Sequence, residues 1–138
     1  MSGLDTNILA RYYVEDDADA EAAKQHEAAR RLIDGGEALM VPKTLLLELE
    51  WVMRDYYRID PDRIAVAFGH LLSLAQVQIE DRAAVEQALD HYGDGLDFAD
   101  CLHHASYCGC DRMATFDERR FARRARRLGM LPAVTLLR

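Results

Sequence analysis

Short apolar runs alternate with segments of helical periodicity along the whole chain, and that alternation restricts the fold more than any other feature. Ala38-Leu39-Met40-Val41 lies between Gly35-Gly36 and Pro42, as expected of a strand buried on both faces. Val77-Gln78-Ile79, Arg112 to Phe116 and Ala133 to Leu137 repeat the pattern, and Gly3-Leu4 leads into it at the start. Strands separated by helices imply parallel pairing, right-handed crossovers and a covered sheet. The fold expected is therefore α/β, with a central, mostly parallel β-sheet flanked by α-helices on both faces. With 138 residues, half of them apolar, the chain has enough material for one substantial core and is expected to be a single domain over 1–138.

The connecting segments carry recognisable helix signals. A short helix is expected from about Ile8 to Val14, with Thr6 or Asn7 capping it through a side-chain oxygen. The acidic turn Glu15-Asp16-Asp17 leads to a helix from about Asp19 to Ile33, striped by Ala22, Ala29, Leu32 and Ile33 and ended by Gly35-Gly36. After Pro42 a helix is expected from Lys43 or Thr44 to about Tyr57. Its wheel places Leu45, Leu49, Val52, Met53 and Tyr56 on the core face. Glu48 falls at the border, pointing along the sheet edge, and Glu50 projects elsewhere as a solvated charge. Leu47 and Trp51 lie on another face and need cover, and Trp51 is expected to be buried mainly by another chain. Asp60-Pro61-Asp62 opens a helix with Ile64, Phe68, Leu71 and Leu72. Helices from about Arg82 to Tyr92, Leu96 to Cys108 and Glu118 to Leu128 complete the series.

Four acids occupy comparable strand-to-helix junctions: Asp5 in GLDTNIL, Glu48 in LLLELEW, Asp100 in DFADC and Asp117 in ATFDERRF. In an open parallel sheet such positions come from distant parts of the sequence and converge at the carboxyl ends of the strands. Four carboxylates in one cleft repel one another unless cations neutralise them. Mg²⁺ suits hard oxygen ligands, and the arrangement fits metal-assisted phosphodiester hydrolysis by one or two ions. Asp97 is well placed to be the N-cap of the helix carrying Asp100, or else an extra acid at the rim. His104, one turn beyond Asp100, is either packing or a metal or proton-carrying group.

These four motifs, in this order and over nearly the whole chain, resemble the PIN-domain family, and most closely its VapC-type toxin ribonucleases. The resemblance implies a Mg²⁺- or Mn²⁺-dependent endoribonuclease held inactive by a small antitoxin protein, and a homodimer. It also implies that Asp5 and Asp100 are the main metal ligands, with Glu48 and Asp117 completing the acidic pocket. Thr6, Asn7 and Thr115 match polar positions that would orient ligands or water.

Composition narrows the alternatives. A net charge of −7 argues against a protein that coats nucleic acid through a basic surface. The charge is nonetheless uneven. Asp16, Asp17, Asp19 and Glu21 crowd one end, and Arg119, Arg120, Arg123, Arg124, Arg126 and Arg127 fill the segment after Asp117. That segment is a solvated face, a set of RNA-phosphate contacts centred on Arg119, Arg120 and Arg123, or a receptor for an acidic partner tail. Cys101, Cys108 and Cys110 are too few for a zinc site and are expected to be free, mostly buried thiols. No leader or membrane-length apolar run is evident, so a cytoplasmic protein is expected. A phosphatase of the haloacid dehalogenase type wants a second Asp where Asn7 stands, and a receiver domain wants a late lysine, whereas Lys24 and Lys43 are the only lysines. The remaining rival is a PIN-like fold that binds RNA or a partner without cutting.

Overall fold

All five apolar runs form strands, and every strand pair is parallel. The computed structural model describes residues 1–16 and 19–138; Asp17, in the acidic turn, lies outside them. The chain divides into two compact units, Met1–Glu80 and Asp81–Arg138.

In the first unit, β1 (Ser2–Gly3), β2 (Leu39–Val41) and β3 (Val77–Ile79) form a sheet in that order, with Leu39 opposite Val77 and Val41 opposite Ile79. Leu39 and Val41 are fully buried while Gln78 is exposed, as befits a central strand beside an edge strand. Helix α1 (Thr6–Tyr13) follows β1, and α2 (Ala20–Asp34) returns the chain to β2. Asp19 caps α2 by accepting the Ala22 N–H at 2.6 Å. Ala22, Ala29 and Ile33 are buried and Leu32 is half-buried. Gly36, at φ +85°, turns the chain out of the helix in the conformation glycine adopts without strain.

Helix α3 (Lys43–Trp51) departs from expectation at its end. From Val52 to Tyr56 the chain is π-helical; the Tyr57 N–H reaches back to the Val52 carbonyl, 3.1 Å away. The wider turn advances each side chain less around the axis than an α-helix does. Leu45, Leu49 and Met53 are buried as expected, Val52 is half-buried, and Tyr56 is 73% exposed rather than in the core. Glu50 is also corrected. It is buried, not solvated, and its carboxylate accepts from Arg54 Nε at 2.8 Å. Helix α4 (Pro61–Ser73) then buries Ile64, Ala67, Phe68 and Leu71, the i, i+3, i+4, i+7 stripe of a helix lying on a core.

The second unit begins with α5 (Arg82–Gly93) and α6 (Phe98–Ser106), followed by β4 (Arg112–Thr115), a π-helical turn at Glu118–Ala122, α7 (Arg123–Leu128) and β5 (Ala133–Leu136). Strands β4 and β5 pair with Met113 opposite Val134. Phe98, Leu102, Phe121 and Ala125 are buried, and the rings of Tyr92 and Phe98 meet edge to face at 5.4 Å, a favoured aromatic geometry. Here too the arginine segment is not one α-helix. Its first turn is wound i to i+5, with the Ala122 N–H on the Asp117 carbonyl. Cys101 is buried, but Cys108 and Cys110 are exposed, contrary to the expectation of mostly buried thiols. Among the described residues, no helix is long and apolar enough to cross a membrane.

Candidate active site

Each unit presents acids where its strands give way to helices. In the first, Asp5 follows β1 and is itself the N-cap of α1, with extended backbone (φ −91°, ψ 158°). Thr6 and Asn7, expected to cap a helix from about Ile8, lie within the first turn instead, because the helix already starts at Thr6. Thr6 is buried and Asn7 exposed. No side-chain bond caps α1, so the exposed Asp5 carboxylate is not committed to the helix it precedes.

Glu48 sits in the second turn of α3, and its side chain is exposed to solvent rather than confined to the sheet edge. A further strand-end acid escaped the sequence reading. Glu80 follows β3 and accepts the Lys43 N–H at 2.9 Å, so its carboxylate satisfies the free N-terminus of α3, where Pro42 has no side-chain oxygen to offer. The only sequence signal for this role is a proline at a helix start with no capping residue beside it.

In the second unit the structure brings two acids, Asp97 and Asp117, within electrostatic reach of a third, Asp100. Asp97 is the N-cap of α6, its side chain accepting the Asp100 N–H at 3.1 Å. Asp100 stands at the third helical position and is half-buried. Asp117 follows β4. Its N–H donates to Thr115 Oγ1 at 3.0 Å, and its own Oδ1 accepts the Arg120 N–H at 3.0 Å. Thr115 therefore fixes the backbone that presents Asp117.

The Asp100 carboxyl is pushed above the usual aspartate range, first by burial and then by the carboxylates of Asp97 and Asp117; His103 and Arg120 pull it back down. A carboxyl so placed is poorly neutralised by protein alone. Among the described residues no group of three or more His, Cys, Asp or Glu side chains is placed to hold a metal ion. The donor set is nonetheless all carboxylate oxygen, which suits Mg²⁺ or Mn²⁺ chemically, and Mg²⁺ commonly takes only one or two protein carboxylates and keeps its waters. Carboxylate oxygen is thus the right ligand type for such an ion, though the described side chains are not gathered into a ligand set.

His104 is fully buried, and its Nε2 lies 2.7 Å from the Pro132 carbonyl oxygen. As the donor in that bond it ties α6 to the start of β5, which is the packing alternative. The arginines divide. Arg124 donates to the Gly95 and Asp94 carbonyls at 3.1 and 3.2 Å, and Arg126 Nε to the Ala122 carbonyl. Arg119, Arg120 and Arg123 are exposed. Arg119 and Arg120 line, with Phe116, Asp117 and Glu118, an open depression of about 470 Å³.

Parallel strands, with acids where they give way to helices, define an α/β protein. Residues 4–127 match the PIN domain model, and the chain belongs to the PIN domain family. The PIN domain is generally a nuclease fold, typically dependent on divalent metal ions. No curated protein and no solved structure matches the chain.

Proposed function

We propose that the chain is a metal-dependent endoribonuclease of the VapC toxin type, hydrolysing RNA phosphodiester bonds and restrained by a small cognate antitoxin. The observation that carries this reading is the match of residues 4–127 to a family of nucleases; the Asp100 carboxyl, raised by burial and by Asp97 and Asp117, accords with it. Perturbed carboxyls of this kind gather at functional sites. The family match runs through both units, which supports treating 1–138 as one catalytic domain.

In this reading Asp5 and Asp100 are the main ligands of Mg²⁺ or Mn²⁺, and Glu48 and Asp117 assist. The bound ion would supply an activated water and charge neutralisation at the leaving oxygen. The chain's own groups do the rest. Thr115 holds the Asp117 backbone, Asp97 holds the first turn of α6, and Thr6 and Asn7 follow Asp5 in the first turn of α1. Arg119, Arg120 and Arg123 meet RNA phosphates, for which guanidinium geometry is suited. Self-association is supported by Trp51, which is 54% exposed with Leu47 half-buried beside it; large aromatic groups of this kind are enriched at binding hot spots.

Cleavage of total RNA in the presence of Mg²⁺ or Mn²⁺ tests the proposal, with Asp5→Asn and Asp100→Asn as controls. Both variants are expected to fold and to lose cleavage. Wild-type rates in the Asp100→Asn protein would show that the activity, or the site, has been misassigned.

A further inference from the structure

The proposed hydrolysis leaves the Cys108-Gly109-Cys110 turn without a role. It follows α6 directly, and the Cys110 N–H closes it on the Tyr107 carbonyl at 2.8 Å. Both thiols are exposed, and nothing lies within 4 Å of where a Cβ on Gly109 would stand. Two residues separated by one other span at most about 7 Å even when fully extended, and the Tyr107–Cys110 hydrogen bond folds this stretch into a turn, which keeps the pair within reach of a disulfide. The glycine between them leaves the backbone free to adjust. Metal binding is not the better account, since among the described residues no third ligand is placed beside the pair, and soft-metal structural sites use four.

We propose that Cys108 and Cys110 form a redox-active dithiol that closes reversibly to an intramolecular disulfide by exchange with a small-molecule disulfide such as oxidised glutathione. In the first step the thiolate of one cysteine attacks the glutathione disulfide, forming a mixed disulfide and releasing one reduced glutathione. In the second, the neighbouring thiolate attacks the protein sulfur of that bond and releases the other glutathione. The protein loses two protons and two electrons, and the glutathione disulfide gains them. Exposed and strained disulfides are the readily reduced ones, so a bridge across so short a span reopens when reduced glutathione is in excess.

Cys101 is an internal reference within the same unit. It is buried and out of reach of a disulfide in solution, so it is expected to stay reduced where the exposed pair reacts.

The test uses the full chain equilibrated with glutathione at a series of oxidised-to-reduced ratios, alkylated at acid pH and read by intact and peptide mass. The expected result is a species lighter by two hydrogens, with the loss confined to the peptide containing Cys108 and Cys110 and with Cys101 alkylated after unfolding. Excess reduced glutathione should restore both thiols. Cys108→Ser and Cys110→Ser should each stop at the glutathione adduct on the surviving cysteine. Persistence of adducts on the wild type, or covalent dimers in place of the internal bridge, would overturn the proposal. So would a bridge that formed but did not reopen.

Discussion

Replacing Asp97 by alanine and, separately, by asparagine distinguishes a helix cap from a participating acid. The Asp97 side chain accepts the Asp100 N–H at 3.1 Å; asparagine reproduces that acceptor and alanine does not. Losing such a cap costs about 1 kcal/mol. In a chain of 138 residues the unfolding entropy is about 0.3 kcal/mol/K, so Asp97→Ala should lower Tm by roughly 3–4 °C. Asparagine gives up only the favourable charge at the helix N-terminus, at the low end of about 0.3–1 kcal/mol for an exposed group. Relief of the repulsion on Asp100 works in the other direction, and the Asp97→Asn shift should be about 1 °C or less. Thermal melts in chelator, paired with an NMR titration of the Asp100 carboxyl, read both effects. The Asp100 midpoint should fall in both variants, and cleavage should survive in Asp97→Asn. Equal melting shifts for the two variants would refute the capping argument. A stable Asp97→Asn protein without cleavage would make Asp97 a participating acid.

Three further outcomes follow from the same contacts. Because the folded state raises the Asp100 pKa, it favours the protonated carboxyl; the stabilisation is present at acid pH and lost as pH rises through the Asp100 midpoint. Asp100→Asn should therefore be more stable than wild type at neutral pH without metal, with the gap closing in acid, and urea titrations giving the opposite order would contradict the assignment. Arg54→Met removes one charged partner of the buried Glu50 carboxylate and should cost about 1–3 kcal/mol, discounted because the guanidinium is partly solvated; the double variant with Glu50→Gln should recover part of the loss in denaturation midpoint. Trp51→Ala should change monomer stability by about 0.5 kcal/mol or less while weakening self-association in sedimentation, and unchanged assembly would return Trp51 to the ordinary surface.

Strands β2, β3 and β5 were legible because each is a short, largely apolar run bounded by breakers, and period and punctuation are local properties. Helix starts at Asp19 and Asp97 were legible for the same reason. The error at α1 came from assigning the cap to Thr6 or Asn7 when Asp5, just as competent a capping residue, precedes them. The ends of α3 and the arginine segment were not legible. A π-turn differs from an α-turn by one step in hydrogen-bond register and carries no composition of its own. Tyr56 was misplaced on that account. Glu50 was misplaced for another reason: a helical wheel gives direction but not what covers each direction, and a carboxylate four residues before an arginine is compatible with either burial or solvent.

The candidate site was legible in its parts and not in its coupling. The spacing of Asp97 and Asp100 follows from the three-residue reach of an N-cap, and Thr115 and Asp117 from the end of a strand. That Asp117 acts on Asp100, seventeen positions earlier, depends on how the chain returns from α6 through the Tyr107–Cys110 turn into β4, and no local pattern encodes that return. The arginines show the same limit. Arg119, Arg120, Arg123 and Arg124 are alike as residues, yet only Arg124 is spent on the carbonyls of Asp94 and Gly95. Gly95 sits at φ +89°, where an added Cβ would come within 3.1 Å of that guanidinium, so the turn and the arginine fit one another. Charge-neutral replacement of Arg119, Arg120 or Arg123 should accordingly weaken RNA binding and flatten its salt dependence with stability unchanged, whereas replacing Arg124 should loosen the turn between α5 and α6 and lower stability before it touches the salt slope. A six-arginine series read as one electrostatic patch would mix those two effects.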